Sequence, residues 1–271
     1  MKRFFLNKTF TAGFILVVFL TLICVISLLY TPYPPNEMFS TYRNNPPSTM
    51  FLLGTDNFGR DILSRIMVGC QTAFVIGFFS VAIGMFFGVC LGSFAGYFGG
   101  FFDIVLTRII DVLMAFPTVL LALMFIAVFG GGTRNTFVVL GLMSIPRFAR
   151  LARGSFMKQK VMEYVDAAKL KGAGNLRIIF IHILPNTVSP LIVNAAFSFS
   201  MSVMTEAGLS YLGLGVQPPD PSWGRMLNEA QVYMHNAPWY AVFTGLSIVI
   251  MVLGFNLLGD GLNDILFKGS N

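Results

Sequence analysis

Charge is scarce in this chain: Asp, Glu, Lys and Arg make up 11% of its 271 residues, about half the share found in soluble globular proteins. With 55% hydrophobic residues and a mean hydropathy of +0.75, it has too few polar side chains to cover a water-soluble surface. Histidine is scarcer still. Only His182 and His235 occur, both expected near membrane interfaces. No metal-ligand or nucleophile spacing accompanies them, which disfavours a membrane enzyme and leaves no metal site and no catalytic residue to nominate. Cys24, Cys70 and Cys90 lack Cys-x-x-Cys or Cys/His spacing and read as small packing residues. No Gly-x-x-x-x-Gly-Lys-Ser/Thr loop is present to cradle nucleotide phosphates, so ATP is not expected to bind to this chain.

Long apolar runs are abundant. Uncharged stretches fill 9–36, 66–102, 112–133, 178–205 and 230–259, each long enough for the ~20 residues of a spanning helix. A sixth is shorter: residues 135–146 separate Arg134 from Arg147, so this helix is expected to continue past Arg147 with the guanidinium snorkelling to the interface. The first run follows Lys2, Arg3 and Lys8 as a secretory signal would. It exceeds the roughly 7–15 residues of a signal core, however. It also ends in Leu28-Leu29-Tyr30-Thr31-Pro32-Tyr33, an aromatic anchor rather than a small-residue cleavage site. It reads as a retained helix. The fold class is therefore all-α, a polytopic transmembrane helical bundle of about six spanning helices surrounded by lipid.

Six crossings from a cytoplasmic N-terminus place Lys2, Arg3, Lys8, Arg108, Arg147, Arg150, Arg153, Lys158, Lys160, Lys169, Lys171, Arg177 and Lys268 inside, thirteen of the eighteen basic residues. Arg43, Arg60, Arg65, Arg134 and Arg225 fall outside. The positive-inside bias selects this orientation, with both termini cytoplasmic. Orientation accounts for the net charge of +6, and no nucleic-acid partner is needed to explain it. Residues 31–65 and 207–238 then form external stretches rich in Pro, Gly and Asn, which either cap helix ends or meet a delivery protein.

Residues 149–184 form one large cytoplasmic stretch. There Val161, Tyr164, Val165 and Ala168 recur at helical spacing among Lys160, Glu163, Asp166, Lys169 and Lys171. Gly172-Ala173-Gly174 breaks this helix, Asn175 caps a second one through Ile183, and Pro185 marks the start of the next span. Such a unit either lies on the membrane surface or offers its apolar face to a groove on a cytoplasmic partner.

Glu163-Tyr164-Val165-Asp166-Ala167-Ala168, then Gly172, then Leu184-Pro185 resembles the EAA loop of ATP-binding-cassette (ABC) importer permeases. Asp166 stands where Glu is more usual, and His182 where Ile is. The run Leu53-Gly54-Thr55-Asp56-Asn57-Phe58-Gly59-Arg60-Asp61-Ile62-Leu63-Ser64-Arg65 is similar to a segment of the peptide/nickel branch of that family. So are 206–224, from Glu206-Ala207-Gly208 to Ser222-Trp223-Gly224, as well as 111–117 and Asn256-Leu257-Leu258-Gly259-Asp260-Gly261-Leu262. These stretches occur in the order expected of the "C"-type permease. Cys70-Gln71 departs from the Ala-Arg of many relatives.

The resemblance implies a type I ABC importer permease fold, with 1–70 as an N-terminal helix and external loop and 71–271 as the permease domain carrying a coupling loop at 155–185. It implies that Glu163, Tyr164, Asp166, Ala167, Ala168, Gly172, Leu184 and Pro185 couple to an ATPase, with Val161, Tyr164, Val165 and Ala168 entering its groove. A second homologous permease (heterodimer), two ABC ATPase subunits holding ATP and Mg2+, and an extracytoplasmic solute-binding protein are the implied partners. The location is a bacterial or archaeal cytoplasmic membrane. Cargo is di- or oligopeptide on the same grounds, with nickel or a metal chelate as the alternative. An ion-coupled secondary transporter is the alternative of another class, and spans almost without carboxylates disfavour it.

Individual residues leave pairs of readings open. Arg108 and Asp111, three apart on one helical face, form either a local ion pair or a gate contact, and Asp103 reads as solvated. Met201 and Met204 either line a pathway or fill gaps. Glu206 either lines the external mouth or accepts amides of the following turn. Asp56, Arg60, Asp61 and Arg65 form a charged lattice that either holds the external loop or meets the binding protein. Gly84, Gly88 and Gly92, four residues apart, permit close helix packing within the subunit or against its partner.

Overall fold

The computed structural model describes residues 7–268, so Lys2 and Arg3 lie outside the described residues. Helix α1 (Lys8–Leu29) starts where the Asn7 side chain accepts a hydrogen bond from the Phe10 amide at 3.0 Å. It runs along the C-terminal helix α9 (Pro238–Asn263), and glycines set the closeness. A Cβ on Gly13 would stand 2.3 Å from the Leu258 amide nitrogen, and one on Gly261 would stand 2.4 Å from the Phe10 Cα.

Helix α2 (Ile62–Phe98) is capped by Asp61, whose carboxylate accepts the Ser64 amide at 2.8 Å. Its 37 residues rise about 55 Å, well beyond a hydrocarbon core of ~30 Å. It passes unbroken through residue 70, so the N-terminal and permease segments expected from sequence are continuous in space. Gly84, Gly88 and Gly92, joined by Gly96, pack within the subunit against helix α5 (Thr133–Gln159). A Cβ on Gly92 would lie 2.2 Å from the Ala149 carbonyl oxygen.

The run 112–133 is not one continuous helix. Helix α3 (Gly100–Ala115) and helix α4 (Thr118–Phe129) meet at 90°. The break falls at Phe116-Pro117: the residue before proline is driven to an extended conformation, and Phe116 has φ −87° and ψ 139°. Four helices among the described residues are long and apolar enough to cross a membrane, five if this bent pair counts as one span. The count falls below six because α5, although 27 residues long, carries Arg134, Arg147, Arg150, Arg153 and Lys158.

Helix α6 (Glu163–Leu170) is short. After it, Asn175 does not open a separate helix ending at Ile183. The chain is helical from Asn175 to Tyr211, here called α7, with a widened turn at Ile178–Ile183 in which the Leu184 amide reaches the Ile179 carbonyl, five residues back. The widening lies just before Pro185, which lacks the amide that a regular turn would use. Helix α8 (Trp223–Gln231) lies across the far end of the bundle and packs on α7 and α9.

The largest buried cluster joins α1, α2, α7, α8 and α9 through Leu20, Cys70, Phe199, Val203, Trp223, Tyr240 and Met251. Phe199 and Phe255 stack with centroids 3.8 Å apart. All three cysteines are free thiols, and Cys70 is buried in this cluster, a packing role.

Candidate functional site

Three places bring together residues singled out by the sequence. At the basic end of the bundle, α6 begins after extended Met162 (ψ 145°) and is followed, past its cap Lys171, by Gly172, whose φ of +78° favours glycine. Nothing lies within 4 Å of where a Gly172 Cβ would be, so backbone sign rather than close approach requires the glycine.

The apolar face expected to enter a partner groove is divided. Val165 and Ala168 are buried against Phe156 of α5 and Ile178, Ile179 and Ile183 of α7. They are committed to the chain's own core and are not free to dock. Val161 precedes the helix and is 71% exposed. The face of α6 that remains outward carries Glu163, Tyr164, Asp166, Ala167 and Leu170. Asp166 accepts from Lys169 at 2.9 Å, and the Tyr164 hydroxyl donates to the Gln159 side chain at 2.9 Å. Leu170, 89% exposed, was not among the expected coupling residues; its signal is a large apolar side chain at the end of a charged helix, preceded one turn earlier only by Asp166 and Ala167. Leu184 is half-buried and Pro185 exposed. Tyr97 of α2 donates to the Asn175 side chain at 2.9 Å and ties down the bend.

Arg108 and Asp111 do not pair. Asp111 accepts instead from Arg150 of α5 at 2.5 Å, and Asp103, far from solvated, takes Arg153 by two bonds, one of them 2.7 Å long. These bridges clip α3 to α5 across sequence separations of 39 and 50 residues, which an i,i+3 argument cannot reveal.

Between the α3/α4 bend, α5 and α7 lies a cleft of about 130 Å³. Its walls include Met114, Thr118, Leu142, Met143, Pro146, Arg147, Ser198, Met201, Ser202 and Thr205. Met201 thus lines this cleft, whereas Met204, Arg108, Asp111 and Glu206 are not among its lining residues. Glu206 is buried, and the Ser210 hydroxyl donates to it at 2.7 Å while accepting the Val216 amide at 2.9 Å. The carboxylate therefore holds the turn after α7 indirectly, through a serine.

At the opposite end, the charged lattice is internal. Asp56, Arg60, Asp61 and Arg65 are all buried, Arg65 to 1% exposure, which removes them from any surface that meets a partner. Arg60 donates to Asp56 at 2.6 Å and to Glu229 of α8 at 2.8 Å. Arg65 Nη1 reaches the Pro35 carbonyl and the Asn36 side chain, each at 3.2 Å, and Tyr240 donates to Glu229 at 3.1 Å. Asp61 stands apart from these pairs as the α2 cap. Burial pushes its carboxyl above the usual range, opposed by hydrogen bonds from the Ser64 hydroxyl and the amides of Ser64 and Leu63. The acid that closes the lattice, Glu229, was not foreseen; its clue was Arg225 four residues earlier, now 3.3 Å away.

Residues 88–270 match the model of the family described as binding-protein-dependent transport system inner membrane component. Residues 1–47 match the N-terminal TM domain of oligopeptide transport permease C. The chain is 44% identical over 266 residues to the glutathione transport system permease protein GsiD of Pectobacterium atrosepticum, covering 98% of this chain and 88% of that one. It is 40% identical over 260 residues to the dipeptide transport system permease protein DppC of Alkalihalophilus pseudofirmus, covering 96% and 86%. It is 39% identical to the di/tripeptide transport system permease protein DppC of Pseudomonas aeruginosa, covering 96% and 88%. Among solved structures, an inward-facing form of the MetNI methionine ABC transporter superposes with a TM-score of 0.57 at 21% identity, covering 73% of this chain and 93% of that one. At that identity the likeness speaks for the fold alone.

Proposed function

The chain belongs to the family of binding-protein-dependent transport system inner membrane components, and from that premise we propose that it carries short peptides inward as one of two permease subunits driven by separate ATPases. It is a multi-pass membrane permease of the ABC importer class with the type I fold, and that membership displaces the ion-coupled secondary transporter. The peptide cargo rests on relatives named for dipeptides, di/tripeptides and glutathione, each aligned over nearly the whole chain. Nickel and metal chelates are not favoured by these relatives.

The observation that carries the coupling role is the outward face of α6, with Glu163, Tyr164, Asp166, Ala167 and Leu170 exposed beside the Gly172 bend. A short helix with a mixed polar and apolar face suits a groove on a partner. The other four expected coupling residues support this surface in different ways: Gly172 sets the bend, Ala168 anchors α6 inward, and Leu184-Pro185 begin the regular part of α7. ATP and Mg2+ belong to the partner ATPases, and a solute-binding protein delivers cargo at the end bearing 31–61 and 212–237. Both termini are cytoplasmic in this reading, on the positive-inside bias.

The test is to purify the chain from membranes with its co-expressed partners and assay ATPase activity in lipid, with and without the binding protein loaded with a dipeptide, glutathione or nickel. Stimulation by a peptide-loaded protein is expected. Stimulation by nickel alone, or transport by this chain in the absence of an ATPase, refutes the proposal.

A further inference from the structure

The salt bridges between α3 and α5 form a ladder that runs out of acids at the cleft. Arg153 holds Asp103, and one turn nearer the cleft Arg150 holds Asp111. One further turn along α5 stands Arg147, which makes no ion pair or hydrogen bond among the described residues. The cleft residues nearest in sequence to Asp111 are Leu113, Met114 and Thr118, none of them anionic. Arg147 is exposed and lines the cleft, so its unpaired guanidinium is accessible to an anion that enters beside the apolar walls.

A second observation points into the same cleft. Ser198 of α7 is only 4% exposed and its hydroxyl has no hydrogen-bond partner, an unmet donor that buried hydroxyls seldom tolerate. Pro146, which has no amide to return to the Leu142 carbonyl, lines the cleft together with Leu142. Guanidinium and hydroxyl thus sit without partners of their own around one cavity.

We propose that this cleft is a way-station for the C-terminal carboxylate of a peptide in passage, with Arg147 as the cation that receives it and Ser198 donating a second hydrogen bond. The inference rests on the peptide-cargo reading and deepens it. A lipid headgroup phosphate offers the same oxyanion chemistry. The cargo is favoured because the cleft lies between three helical segments and its polar lining continues away from Arg147 through Ser202 and Thr205 of α7. No bond is made or broken; the site's contribution is to let a charged end leave water.

The experiment uses the assembled importer in nanodiscs without its binding protein, titrated with glycylphenylalanine and with its C-terminal amide, and followed by saturation-transfer NMR. The dipeptide should bind about tenfold more tightly than the amide, the scale of one charge-assisted contact. Arg147→Gln should abolish that preference, Arg147→Lys should keep most of it, and Ser198→Ala should reduce it. In vesicles, Arg147→Gln should slow peptide uptake about tenfold, while Arg108→Gln, a cation on α3 outside the cleft, changes neither reading. Equal binding of dipeptide and amide, no detectable binding by the unmodified complex, or normal uptake by Arg147→Gln overturns the inference. So does an Arg147→Gln defect that vanishes when anionic lipid is left out, which would assign the guanidinium to headgroups. Failure of the underlying cargo reading is seen separately, as no ATPase stimulation of the unmodified complex by a peptide-loaded binding protein.

Discussion

The contact between α2 and α5 makes a sharp prediction about a single methyl group. Replacing Gly92 with Ala puts a Cβ 2.2 Å from the Ala149 carbonyl oxygen and within 3.0 Å of the Ala149 Cα. The obstacle is backbone on both sides, so no side chain can rotate away, and the helices must part by roughly 1 Å to restore contact; overpacking of this kind costs about 1–3 kcal/mol. Gly154, on the exposed side of α5, has nothing within 4 Å of its Cβ position, so Gly154→Ala removes only the helix penalty of glycine and should stabilise by up to about 1 kcal/mol. Thermal unfolding of the purified protein in detergent, read by tryptophan fluorescence or by loss of the monodisperse chromatographic peak, should move in opposite directions for the two variants. Gly84→Ala is an intermediate case, since its nearest obstacle is the Ser144 hydroxyl, which can change rotamer. Equal stability of Gly92→Ala and Gly154→Ala would show that α2 and α5 are not in backbone contact at this level.

Two further outcomes follow from the charged groups. Arg60→Ala leaves Asp56 buried and Glu229 short of its nearest cation, a loss of about 3–5 kcal/mol that should appear as poor yield of folded protein in membranes, whereas exposed Arg43→Ala should leave yield unchanged. For Asp103 and Arg153, a double-mutant cycle with Asp103→Asn and Arg153→Gln, read by thermal unfolding, should give a coupling of only about 1 kcal/mol or less, because the guanidinium side chain is 27% exposed and screened.

The sequence made the helices legible because uncharged runs of spanning length have few alternatives in a membrane protein. It made the bend at Gly172 legible because glycine is the usual residue at positive φ. The break at Phe116-Pro117 was within reach, since Pro117 was in plain view inside the run 112–133, but length alone favoured a single span. What stayed hidden were partners distant in sequence. Arg108 was matched to Asp111 by local spacing, while the tertiary packing offered Asp111 the closer Arg150. The buried lattice was half visible in Asp56, Arg60 and Arg65, but Glu229, 169 residues from Arg60, completes it. An amphipathic pattern also reports that one face is covered without saying by what, which is why Val165 and Ala168 were assigned to a partner when the chain itself covers them.

That correction changes how coupling should work. The buried face of α6 touches Phe156 of α5 and Ile178, Ile179 and Ile183 of α7, and α5 and α7 are also two of the three walls of the cleft. If α6 couples as proposed, a push on its outward face would reach the cleft through packed side chains, with Val165 as the link. Two substitutions should separate docking from transmission. Leu170→Asp changes the outward face without disturbing the core, and should weaken co-purification with the ATPase while leaving the permease as stable as before. Val165→Ala leaves the outward face intact, opens a void against Phe156 and Ile179, and costs up to a few kcal/mol in local stability. It should retain co-purification, and its transported cargo per ATP hydrolysed, measured in vesicles, should fall. If Val165→Ala lost the ATPase while Leu170→Asp kept it, the assignment of the two faces of α6 would be inverted, and the buried residues would have to emerge in the assembled transporter.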